Sequence, residues 1–434
     1  MSLAALAEQV RSGEISATER VQQSIDTIEG LRSLNLVCWM DPDMALIQAR
    51  SVDSAVASGR DPGPLAGVPV AIKDNLAFAG APLECCSPAL KGYCAPDNAT
   101  VVQRLMDAGA VIVARTNMDE FAMGSSTERS VHGASLNPRD PSRVCGGSSG
   151  GSAGLVAAGG VPLALGSSTG GSVCQPASHC GVVGLEPTWG RLSRNGLVAF
   201  SSSMDRVGLF TGTVEDAALV LSVLEGRDPL DATSLDRYEG PQSGLRVALL
   251  EQGFEGVDPE VERAVRAALG DRPSLSLPLF DQALACYTVL SSAEAASNLA
   301  RFDGIGYAGG ASFGPEAKRR ILFGTHVLRA GTDEAWVERA RSLRRSLQDQ
   351  LDTALEQVDV LALPVTPQRA FPLGSLLQDP VSMQAQDRLT ALAGLTGNPA
   401  ISVPCSVEGL PIGLQLIGRR GQETALLQAA ALLQ

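Results

Sequence analysis

The sequence predicts a single-domain α/β protein. Capped amphipathic helices alternate with short apolar strands along the whole chain, the order expected of βαβ units. Hydrophobic residues make up 44% of the 434 residues, enough to fill a large core and too many for disorder. No Pro/Gly linker is long enough to divide the chain, and no internal repeat is visible. The weakest join runs from Gln242 to Arg272.

Taken in order, "SLAALAEQVRSG" carries an apolar stripe and a glycine stop, so it reads as helix. Ser16 or Thr18 can cap a second helix that runs to about Leu31. "DPDMALIQARSVDSAVASG" is a third capped helix. In "AGVPVAIKDN", Val68, Val70 and Ile72 alternate with Ala71 and Lys73, as in a strand. "NATVVQRLMDAGAVIVARTN" gives a helix, a glycine and a strand, the αβ half of a βαβ unit. A helix is expected near Ser152 to Ala158 and a strand at Val161 to Leu165. Further on, "DEAWVERARSLRRSLQDQLDTALEQ" is a long helix, and "VDVLALPV", "NPAISVPC" and "GLPIGLQLIG" are short strands.

The formal charge of −13 argues against a surface that grips nucleic acid, because neutralising phosphates takes clustered Lys and Arg. Nine cysteines, an odd number with no CxxC pair, suggest reduced thiols and no metal site. "MSLAALAEQVRSGE" turns polar too early for a signal peptide, so a cytoplasmic protein is expected. No apolar run approaches the ~20 residues of a membrane span. Only three lysines (73, 91 and 318) stand against 31 arginines, so each invites scrutiny.

The stretch 146–172, "GGSSGGSAGLVAAGGVPLALGSSTGGS", is rich in glycine and serine, but an apolar strand in its middle rules out a linker. Glycine-rich turns expose N–H groups that hold anions. A phosphate loop needs GxxxxGK[ST], and no lysine lies between 91 and 318. The dinucleotide pattern GxGxxG matches poorly. A tetrahedral oxyanion suits Gly170-Gly171-Ser172, where consecutive amides adjoin a hydroxyl, so Ser172 is a candidate nucleophile. Two bases are conceivable. Gly147-Ser148-Ser149-Gly150-Gly151 matches the GxSxG nucleophile elbow, which would require His179 or His326 downstream. Alternatively, Lys73 at the end of an apolar strand is neutralised by desolvation, with Ser148 as a relay. A lysine in that place is commonly solvated or paired with a neighbour such as Asp74, and Ser-Gly runs are commonly turns.

The run "GGSSGGSAG…GSSTGGSVCQPASHCGVVGLEPT" resembles the amidase signature family. Lys73, Ser148 and Ser172 fall at that family's spacing. The resemblance implies one domain over 1–434, with a central mixed β-sheet covered by helices on both faces. Its signature core would span about 64–230 and its substrate-recognition part about 290–434. It also implies that Ser172 forms an acyl-enzyme, that Ser148, behind a cis peptide, relays the proton, and that Lys73 is the base. Amides from Thr169, Gly170 and Gly171 to Ser172 would form the oxyanion hole. A narrower similarity, carried by "TNMDEFAMGSSTE", "GLVAFSSSMDRVGLFTGTVEDAALVL", "EAASNLARFDGIGY", "PEAKRRILFGT" and "PAISVPC…GLPIGLQLIG", is to the A subunits of glutamyl-tRNA(Gln) amidotransferases. It implies that Arg320 and Asp387 hold the α-carboxylate and α-amino groups of glutamine, a fit for one fixed cation and one fixed anion. It further implies B and C partner subunits, with ATP and Mg²⁺ used by the partner on mischarged Glu-tRNA(Gln) or Asp-tRNA(Asn), and no cofactor in this chain. The alternatives are a stand-alone amidase acting on another small amide and an inactive scaffold. The chain departs from the usual "GSDTGGSIR" at Ser168 and Cys174, carries Glu186 where "GLKPT" has lysine, and is shorter across "GYAGGASFGPE".

Overall fold

The chain is described by a computed structural model covering residues 1–236, 245–302, 312–329 and 334–434. Eleven strands form one mixed sheet. In chain order the strands are β1 (Val37–Trp39), β2 (Pro69–Lys73), β3 (Val111–Thr116), a small separate hairpin of β4 (Leu136–Asn137) and β5 (Asp140–Val144), β6 (Leu163–Ser168), β7 (Val183–Glu186), β8 (Arg206–Thr211), β9 (Val247–Leu250), β10 (Ser274–Leu275), β11 (Val360–Pro364), β12 (Ala400–Pro404) and β13 (Gly413–Gly418). The large sheet runs β1-β3-β2-β6-β8-β7-β12-β13-β11-β9-β10 and is flanked by helices. β9 pairs with both β10 and β11, so the segment expected to be the weakest join is woven into the same sheet.

The helix starts follow side-chain chemistry. Ser2 caps Leu3–Arg11, Ser16 forms a reciprocal capping box with Glu19 on Ala17–Gly30, and Asp41 caps Pro42–Ala57. The strands depart from simple alternation. β2, β3 and β6 are buried along their full length, because layers cover both faces of the sheet. For that reason the strand expected at Val161–Leu165 begins later and continues through Gly166, Ser167 and Ser168, where polar residues are satisfied inside the protein. The helix before it spans Gly150–Ala157. Most of the shortened "GYAGGASFGPE" segment lies outside the described residues. Among the described residues no helix is long and apolar enough to cross a membrane.

Candidate active site

β2 lies between the parallel strands β3 and β6, and its last residue is Lys73. The side chain is fully buried. Its Nζ donates to Ser148 Oγ at 2.8 Å and Ser149 Oγ at 2.7 Å, and lies 3.1 and 3.2 Å from the hydroxyl and carbonyl oxygens of Ser167. The neighbour proposed from sequence, Asp74, turns away and pairs with Arg115 Nε at 2.9 Å. Burial pushes the Lys73 amine down to about 7, and the fields of Asp119, Cys85, Cys86 and Asp205 oppose it. Near neutral pH the amine therefore spends much of its time without its third proton, with a lone pair beside the Ser148 hydroxyl.

The Gly147–Ser148 peptide is cis, and two hydrogen bonds fix the loop around it. Asp119 N–H donates to the Ser148 carbonyl at 3.2 Å. The Gly147 N–H donates to Gln175 Oε1 at 2.8 Å. A Cβ at position 147 would sit 2.2 Å from Asp119 Oδ2, so only glycine fits. The Asp119 carboxylate accepts from the amides of Ser126, Thr127 and Arg129, while burial raises it to about 6. The sequence offered Asp119 only as one letter of "TNMDEFAMGSSTE", with no sign of this role.

Ser172 sits on the turn between β6 and the helix Cys174–Cys180, in a narrow pocket that includes Asn75, Ser167, Thr169, Phe200 and Asp205. Its hydroxyl makes no hydrogen bond among the described residues. Lys73 and Ser148 are thus hydrogen-bonded, and no hydrogen bond links Ser148 to Ser172 among the described residues. Active-site contacts of this kind commonly tighten only around substrate. Gly171 adopts φ of 149°, and a Cβ there would meet Thr390 Oγ1 at 2.0 Å. The amide of Gly171, expected in the oxyanion hole, donates instead to Ser168 Oγ at 3.0 Å. Among the described residues the amides of Thr169, Gly170 and Ser172 make no hydrogen bond.

Glu186 changes the meaning of the altered loop. Its Oε1 accepts from the amides of Val173 and Cys174 at 3.3 and 3.1 Å, and its Oε2 pairs with Arg206 Nη2 at 2.7 Å. Arg206 Nη1 also reaches the carbonyls of Pro187 and Asn398. A buried ion pair therefore holds the turn that carries Ser168 and Cys174.

Arg320 lies on the helix Pro315–Val327, and both it and Asp387 are buried. Arg320 is not a bare cation, because its Nε donates to Glu316 at 2.8 Å and its Nη1 to Ser291 at 3.3 Å. Asp387 accepts from Ser125 at 2.6 Å, and burial raises its carboxyl to about 7 against the pull of Ser125 and Arg320. Tyr287 feels both charges, and its hydroxyl lies 3.1 Å from Thr169 Oγ1 on the nucleophile turn. The two residues read from sequence are therefore linked to the nucleophile turn through Tyr287. Tyr287, beside Thr169, and Ser125, which donates to Asp387, carried no sequence signal.

The histidine alternative fails. His179 is buried edge-on against Phe371, and desolvation lowers it to about 4. His132 and His326 are exposed. Ser148 faces the lysine, so the GxSxG match is not a histidine-served elbow.

Comparison with known proteins places the chain among amidases. The Amidase family model matches residues 19–427. The chain is 46% identical to the A subunit of glutamyl-tRNA(Gln) amidotransferase from Synechococcus sp. (strain RCC307), over 99% of this chain and 96% of that relative. A solved structure of the A subunit of glutamyl-tRNA(Gln) amidotransferase from Thermotoga maritima is 37% identical, covering 95% of this chain and 93% of that one, with a TM-score of 0.79. The native peptide amidase from Stenotrophomonas maltophilia is 28% identical, covering 100% and 96%, with a TM-score of 0.85.

Proposed function

The chain belongs to the amidase family, and from that premise we propose that it is the glutaminase subunit of a tRNA-dependent amidotransferase. The observation that carries the chemistry is the buried Lys73 amine, poised near 7 and hydrogen-bonded to Ser148 behind a cis peptide. Neutral Lys73 takes the Ser148 proton as Ser148 takes that of Ser172, and Ser172 Oγ attacks the side-chain carbonyl carbon of glutamine. The oxyanion is met by the amides of Thr169, Gly170 and Ser172, while Gly171 braces the turn through Ser168. On collapse the C–N bond breaks and the proton returns from Lys73 through Ser148 to the nitrogen, so ammonia leaves. Water then hydrolyses the glutamyl ester by the same route.

Glutamine is selected by its zwitterionic head. Asp387 receives the ammonium and the free edge of Arg320 the carboxylate, with the core at 64–230 supplying chemistry and 290–434 recognition. Ammonia passes to B and C partner subunits, which use ATP and Mg²⁺ to amidate glutamate, or aspartate, on mischarged tRNA; this chain needs no cofactor. A stand-alone amidase is the second reading, favoured by the overall likeness to the peptide amidase and by the pairing of Arg320 with Glu316. Substitution of Arg320 or Asp387 by alanine separates the two. The KM for glutamine should rise by about tenfold or more, the worth of one lost charged contact, with a small neutral amide little changed. Equal losses on both substrates would make these two residues structural.

A further inference from the structure

Three side chains that this chemistry does not use meet at the protein surface. Cys38 lies in β1, Cys86 in the loop after β2, and His132 in the loop before β4. Their sulfur and ring-nitrogen atoms all lie within 4.8 Å of one another. Cys86 is buried, Cys38 is partly covered and His132 is exposed. We propose that Cys38, Cys86 and His132 form a binding site for a thiophilic divalent cation of the zinc class, with a fourth position open to water.

The donor set selects the ion. Two thiolates and an imidazole suit Zn²⁺ or Cd²⁺ and discriminate against Mg²⁺ and Ca²⁺. Tetrahedral zinc, with bonds of about 2.3 Å to sulfur and about 2.0 Å to nitrogen, wants its donors roughly 3.5–4 Å apart, which small side-chain movements would reach. The framework is already tied together without an ion. Val131 N–H donates to the Cys86 carbonyl at 3.0 Å, Asn35 Nδ2 to the His132 carbonyl at 2.9 Å, and Cys86 N–H to Asp74 Oδ2 at 2.8 Å. Binding converts two thiols to thiolates and releases two protons, so the dication and the two thiolates cancel. The buried Asp74–Arg115 pair beside the site then meets no new net charge. The ligands are 48 and 46 residues apart in sequence, which is why no cysteine spacing announced them.

The test uses the full chain, reduced with a phosphine, stripped of metal and titrated with Zn²⁺ against a chromophoric chelator, and with Cd²⁺ in the ultraviolet. One ion per chain should bind, with thiolate-to-cadmium absorption and proton release. Cys38→Ser and His132→Ala should each weaken binding by about tenfold or more. Cys94→Ser, which removes an exposed thiol elsewhere, should not. Melting in excess chelator shows whether each variant still folds, and His132→Ala alters only an exposed side chain. Binding that survives Cys38→Ser or His132→Ala overturns the site. So does a Cys38–Cys86 disulfide in chain isolated without reductant, which would assign the pair to redox chemistry.

Discussion

At the scale of single residues, the pH behaviour of the site follows from two buried groups. On the proposed mechanism Lys73 must be neutral to accept a proton, and Asp387 must be ionised to hold an ammonium group. Burial sets both near 7 in the free protein. The kcat/KM for glutamine should therefore climb with pH through neutrality more steeply than one ionisation allows. Once bound ammonium lowers the pKa of Asp387, kcat should follow Lys73 alone. Asp387→Asn should reduce the kcat/KM profile to a single ionisation; an unchanged slope would remove Asp387 from the binding step. Lys73→Arg should stay inactive, because guanidinium keeps its proton. Ser172→Ala should lose at least ~10³-fold in kcat, with the acyl group trapped on the Ser172 peptide of the unaltered enzyme. Linkage gives an independent check on Lys73. Its folded pKa is depressed below the unfolded 10.5, so the unfolded chain binds the extra proton between about 7 and 10.5. Stability should rise with pH across that window, and Lys73→Met should flatten the rise in a series of melting curves. The residues offered Ser172 as a nucleophile and Lys73 with Ser148 as one of two bases, the resemblance chose between the bases, and the structure brings Lys73 to Ser148. Asp119, Asp205, Tyr287 and Thr390 were not legible in the sequence, since each reaches the site only through a tertiary contact.

At the scale of elements, the turn between β6 and the helix Cys174–Cys180 is where sequence and structure part most. By letters alone, Ser168, Cys174 and Glu186 look like losses. In space, the carboxylate at the end of β7 holds two amides of the turn and is neutralised by Arg206 at the start of β8. Glu186→Gln would strand a buried guanidinium, at a cost of about 3–5 kcal/mol in urea unfolding. It should also lower kcat while leaving KM for glutamine nearly unchanged. Adding Arg206→Met should restore stability but not kcat, because the neutral amide holds the turn less firmly. If the double variant regains full kcat, the pair serves only the core. Helix boundaries were legible because caps are local, as at Ser2, Ser16 and Asp41. The ends of β6 were not, because a strand buried on both faces can run through Gly-Ser-Ser without an alternating pattern.

At the scale of the whole molecule, an acidic chain that makes ammonia has reason to wait for its partners. The net charge of −13 predicts weak tRNA binding by the isolated chain. Glutamate release should be slow alone and rise several-fold when B and C partner subunits, ATP and mischarged tRNA are present, as closure aligns Ser172 with Ser148. Equal rates with and without them would detach this chain from such an assembly. The sheet order carries a final consequence. β7, which ends in Glu186, pairs along its far edge with β12, where Ala400 lies opposite Glu186. Gly394 touches the Thr169 carbonyl so closely that a Cβ would come within 2.1 Å of it. The nucleophile turn thus leans on residues translated more than two hundred codons after Ser172. A chain cut short before Gly394 would keep Lys73, Ser148 and Ser172 but lose both of these supports, so each contact that steadies the turn arrives only as translation nears its end.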